Sequence, residues 1–121
     1  MNLKAPESYL RATPEERAEI CNGAGAAGWG WTVPDTLWGL CITEAANIHD
    51  WMYHFGKTDD DKREADMTFL KNMYILIQQG SWWFRAIRRN RARVYYNSVK
   101  YAGHWAFWDG KQMPNNIEKK G

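Results

Sequence analysis

The chain has 121 residues, a net charge of +2 and an apolar fraction of 45%, values that fit one globular domain and leave no room for two independent cores. No apolar run approaches the roughly 20 residues that span a bilayer, which excludes a membrane-spanning helix. Met1 to Glu7 hold no apolar signal segment, so synthesis in the cytoplasm is expected, with release by another route left open. Two cysteines, Cys21 and Cys41, are too few for a disulfide scaffold and fit a reducing compartment.

Four helical segments are predicted, and no alternating strand pattern stands out. The first begins at Thr13-Pro14-Glu15-Glu16, a capping box with proline at the first helical position, and is expected to stop at Asn22-Gly23. Gly23 to Gly30 is too rich in glycine for regular structure and reads as a loop whose backbone approaches something closely. Asp35, after Pro34, is the expected cap of a second helix. Its apolar stripe is Leu37, Leu40, Cys41, Ala45, Ile48, Met52 and Phe55, and Gly56 ends it.

A third helix starts at the acidic run Asp59–Asp61, which favours the positive end of a helix dipole. It carries Phe69, Leu70, Met73, Leu76 and Ile77 on one face and ends at Gly80. Ser81 is the expected cap of a fourth, basic helix running to about Gly103. Arg85, Arg88, Arg89, Arg91 and Arg93 are too dense for one face, so most are expected in solvent. Trp82, Trp83 and Phe84 are expected in the core, because aromatic residues dominate small cores. The tail 109–121 is expected to be loosely ordered.

The short link between the second and third helices makes them an antiparallel pair. His49 and Asp66 are equidistant in sequence from the middle of that turn, so they stand at one level of the paired axes. Asp66 also extends the apolar stripe of its helix. A carboxylate facing a core is costly unless it is paired, and His49 is the partner at that height. A histidine oriented by a carboxylate can act as a general base. Taken alone, such a pair is more often structural than catalytic. Asp50 points about 100° away from His49 around the helix, and a glycine loop precedes that helix. Calcium takes carboxylate and main-chain carbonyl oxygens together, so Asp50 and such a loop could share one ion.

His49-Asp50-Trp51-Met52-Tyr53 resembles the H-D-x-x-Y active-site helix of the phospholipase A2 superfamily. Ala27-Gly28-Trp29-Gly30-Trp31 is similar to that family's calcium loop, C-G-x-G-G, with Ala27 and Trp31 replacing Cys and Gly. Lys62-Arg63-Glu64-Ala65-Asp66 followed by Phe69-Leu70 looks like the next helix of the bacterial and fungal branch. The resemblance covers about residues 20 to 79. It implies an all-α fold built on an antiparallel helix pair, one domain over residues 1–121 with its core in 13–103. It also implies calcium-dependent hydrolysis of a glycerophospholipid at the sn-2 ester. His49 would activate water, Asp66 would hold His49 and Tyr53 would bond Asp66. Asp50 and the carbonyls of Ala26, Gly28 and Gly30 would bind Ca2+, with Asp35 as an alternative ligand and, more simply, a helix cap. The implied partner is a phospholipid membrane surface approached from outside, in preference to nucleic acid. A reading from another class is a non-enzymatic protein that uses the Arg/Trp helix 81–103 to bind membrane or nucleic acid. His54 and His104 are expected at the surface.

Overall fold

A computed structural model describes residues 3–26, 36–37, 39–108 and 111; of residues 22–26, 105 and 106 it describes the backbone alone. The described chain is mostly helical, as expected. The helices are α1 (Glu7–Arg11), α2 (Pro14–Ala26), α3 (Thr43–Phe55), α4 (Asp59–Gln79), α5 (Arg85–Ala102) and α6 (His104–Trp108). A 3-10 turn at Trp82–Phe84 leads into α5, and β1 (Thr36–Leu37) pairs antiparallel with β2 (Leu40–Cys41). Among the described residues no helix is long and apolar enough to cross a membrane.

Helix α2 starts as read. The Thr13 hydroxyl accepts from the Glu16 amide, and the Glu16 carboxylate accepts from the Thr13 amide, so two orphan donors are satisfied reciprocally. It does not stop at Asn22-Gly23. The helix runs on through Gly23 and Gly25 to Ala26, so the expected loop is shorter at its start than its glycine content suggested. Ala24 and Ala26, each following a glycine, are strong helix formers, and each glycine costs only about 1 kcal/mol against alanine. The remainder of that loop, 27–30, and Asp35 lie outside the described residues.

The second expected helix is shorter than its stripe. Gly39 has φ +82 in the turn between β1 and β2, a left-handed conformation that suits glycine and interrupts a helix. Leu37 and Ile42 are fully buried on either side of it, so the hairpin satisfies the apolar residues that had suggested helix. Helix α3 then begins at Thr43. Phe55, placed in the buried stripe by spacing, is 52% exposed in the last turn of α3.

Helix α4 follows a three-residue link, Gly56 to Thr58, and matches its reading closely. Thr58 and Asp61 form a second capping box. The Asp61 carboxylate accepts from the Lys57 and Thr58 amides, and these bonds hold its pKa below the ordinary aspartate value. Phe69, Met73 and Ile77 are buried, with Leu70 and Leu76 partly covered beside them. They pack with Ala45 of α3, Leu37 and Ile42 of the hairpin segment, and Ala92 and Val99 of α5.

A second cluster joins Tyr9 and Cys21 to Ile48 and Trp51, which seats α1 and α2 on α3. The leader into α1 is clamped by Asn72, whose amide exchanges two hydrogen bonds with the backbone of Lys4. That bonding explains a fully buried asparagine in the middle of α4. Both cysteines are thiols; Cys21 Sγ donates to the Asn47 carbonyl.

Trp82, Trp83 and Phe84 are not in the core. They are 64%, 71% and 41% exposed, because they sit on the turn beyond Ile77, the last buried residue of α4. Ser81 precedes the turn without a side-chain cap bond. Of the arginines, Arg89, Arg91 and Arg93 are exposed and Arg88 is buried, with Nε donating to the Leu37 carbonyl at 3.2 Å. Arg85 is half-buried and donates to the Gln78 carbonyl, satisfying the C-terminal end of α4.

Candidate catalytic centre

The antiparallel packing of α3 and α4 brings His49 and Asp66 together at the expected level. His49 Nε2 lies 2.8 Å from Asp66 Oδ1, and the Tyr53 hydroxyl donates to the same oxygen at 2.7 Å. His49, Tyr53 and Asp66 are all buried. The His49 ring is bracketed by Tyr53 and Phe69, with centroids at 4.1 Å and 4.9 Å. A hydrogen on Nε2 directed at the carboxylate leaves the lone pair on Nδ1, so the tautomer is set by the Asp66 contact.

The other carboxylate oxygen belongs to a residue the sequence reading did not single out. Lys62 Nζ donates to Asp66 Oδ2 at 2.8 Å and to the carbonyls of Val99 and Lys100 at 3.1 and 3.2 Å. All three ammonium donors are therefore used, and the side chain is 10% exposed. The available signal was the i,i+4 spacing of Lys62 and Asp66 on one helix face. What could not be read was the last turn of α5, whose carbonyls close the cage.

These contacts divide the charge. Burial opposes ionisation of Asp66, yet the hydrogen bonds from His49, Lys62 and Tyr53 outweigh it, and its pKa lies below the ordinary value. Burial lowers the His49 pKa, and its bond to Asp66 and the carboxylate charge only partly offset this. Lys62 provides the positive charge next to Asp66, so the imidazole is neutral at pH 7 and the carboxylate ionised. Burial followed by the Asp66 charge pushes the Tyr53 hydroxyl up, which keeps it a donor.

Asp50 is half-buried on α3. Burial raises the Cys21 thiol to about 11, with the Asp50 charge the next contribution, so Asp50 stands near the second half of α2. Ala26 is the last residue of that helix, where carbonyls lack intrahelical partners. Gly28 and Gly30 lie outside the described residues. Among the described residues no group of three or more His, Cys, Asp or Glu could hold a metal.

A groove of about 470 Å3 runs between α1, α3 and α4, lined in part by Pro6, Trp51, Met52 and Lys71. His49 does not line it. His54 and His104 are exposed, as expected.

No family model matches the chain, and neither a curated protein nor a solved structure matches it.

Proposed function

We propose that the chain is a calcium-dependent lipid esterase of the phospholipase A2 type, hydrolysing the sn-2 acyl ester of a glycerophospholipid. The observation that supports this most is the buried His49–Asp66–Tyr53 set, joined to Asp50 one residue along the same helix. Asp66 holds the imidazole with its hydrogen on Nε2 and steadies the imidazolium that forms when Nδ1 takes a proton from the attacking water. That proton then passes from Nδ1 to the departing alkoxide, restoring neutral His49. Tyr53 and Lys62 keep Asp66 ionised and fixed throughout. Calcium bound by Asp50 with the carbonyls of Ala26, Gly28 and Gly30 would polarise the ester carbonyl and stabilise the oxyanion.

The test is fatty-acid release from mixed phospholipid vesicles with calcium and with chelator. Release that requires calcium and disappears in His49→Gln supports the proposal. Release that persists in His49→Gln within about tenfold of the parent would assign the base to another residue. No release under any condition would leave the buried set a structural one.

A further inference from the structure

Not one Asp or Glu lies between Asp66 and Asp109, and this acid-free stretch contains the most exposed apolar surface described. Trp82 and Trp83 stack with centroids 4.4 Å apart, and both are more than half exposed. Phe84 and Ile87 continue the patch onto α5, followed by Val94 and Tyr101, all exposed. Ile87, Val94 and Tyr101 recur at heptad spacing, so they form one stripe along α5. Arg91 lies beside that stripe, and Arg89, Arg93 and Lys100 are exposed further round the helix. The opposite face is taken up by the core through Arg88, Ala92 and Val99.

We infer that the Trp82–Phe84 turn and the outer face of α5 dock on the surface of an anionic phospholipid bilayer. Charge selects among the possible occupants. A second copy of the same face would set unbalanced arginines against arginines, which is unfavourable without carboxylates to pair them. An anionic surface attracts them, and long arginine side chains can reach it while their stems cover apolar ground. The aromatic tip separates lipid from nucleic acid. Indole rings favour the boundary between headgroups and acyl chains. A helix with an apolar stripe and cationic flanks lies in that boundary, and aliphatic Ile87 and Val94 have nothing to gain against phosphates and sugars. Along α4, Gly80 is about 20 Å from Asp66 at the ordinary helical rise. The Trp82–Phe84 end of this surface is therefore far from the His49 centre, which α5 meets only through the Val99 and Lys100 carbonyls of its last turn, and the inference does not depend on hydrolysis.

The experiment is co-sedimentation of the full chain with vesicles in chelator, so that neither calcium nor turnover contributes. Vesicles of phosphatidylcholine alone are compared with equal mixtures of phosphatidylcholine and phosphatidylglycerol, at low and high salt. Binding is expected to the anionic vesicles and to weaken with salt. Arg89→Gln/Arg91→Gln/Arg93→Gln should lower the partition constant by roughly a hundredfold, at about fivefold per charge. Trp82→Ser/Trp83→Ser should lower it by about tenfold or more. These positions are exposed, and circular dichroism checks that each variant is folded. Equal partition into both vesicle types, or parental binding by both variants, would overturn the inference. So would tighter binding to a mixed-sequence DNA duplex that needs the arginines but not the tryptophans. A concentration-dependent dimer in ultracentrifugation that Val94→Asp dissolves, without vesicle binding, would assign the face to a second copy.

Discussion

Asp66→Ala tests the buried centre whether or not it is catalytic. The substitution removes the acceptor shared by His49, Tyr53 and Lys62, at 2.8, 2.7 and 2.8 Å. Lys62 keeps its bonds to the Val99 and Lys100 carbonyls but loses its counter-charge. Breaking a buried ion pair from one side costs about 3–5 kcal/mol. The Tyr53 hydroxyl retains a 3.4 Å contact with the Val99 carbonyl, too long to replace what it loses, which adds about 1 kcal/mol. The expected loss is therefore about 4 kcal/mol or more, a large share of the 5–15 kcal/mol typical of a domain. Most of it comes from the stranded ammonium, so Lys62→Met in the same chain should recover about 2 kcal/mol. Urea denaturation followed by tryptophan fluorescence measures all corners of the cycle, with buried Trp51 among the reporters. Additivity of the two substitutions to within about 0.5 kcal/mol would refute the reasoning, because residues in contact through a buried charge must couple.

The remaining predictions concern metal, protons and packing. Asp50→Asn should abolish calcium binding measured by calorimetry while leaving the thermal midpoint of the calcium-free chain nearly unchanged; unaltered affinity would remove Asp50 from the ligand set. Because the folded pKa of His49 lies below its ordinary 6.5, the unfolded chain takes up a proton first as pH falls. Stability should therefore decline below about pH 6.5 and fall further as Asp66, also lowered, is titrated in stronger acid. In His49→Gln the decline nearest pH 6.5 should vanish, and its persistence would point to another group. A Cβ on Gly103 would meet the Val99 carbonyl oxygen and lie 2.7 Å from the Tyr53 hydroxyl, so Gly103→Ala should cost about 1–3 kcal/mol by denaturation. A variant as stable as the parent would show that the end of α5 does not press on Tyr53.

The parts legible in the sequence are those set by local chemistry and by the helical period. The capping residues Thr13 and Glu16 mark the start of α2, and Asp59–Asp61 marks the start of α4, because such starts are chosen by orphan amides within one turn. The His49–Asp66 contact follows from a short link and equal distances on either side of it, and the bond from Tyr53 accompanies it one turn further along. Tertiary structure decided what depends on neighbours distant in the chain. Lys62 became part of the centre because the last turn of α5 offers it the Val99 and Lys100 carbonyls, which no local pattern encodes. Trp82, Trp83 and Phe84 are outside because α4 carries its last buried side chain at Ile77, and hydrophobicity says that a residue seeks cover without saying where cover exists. Leu37 and Leu40 satisfy a helical stripe and a hairpin equally well. The turn at Gly39 and the pocket around Leu37 settled which of the two the chain forms.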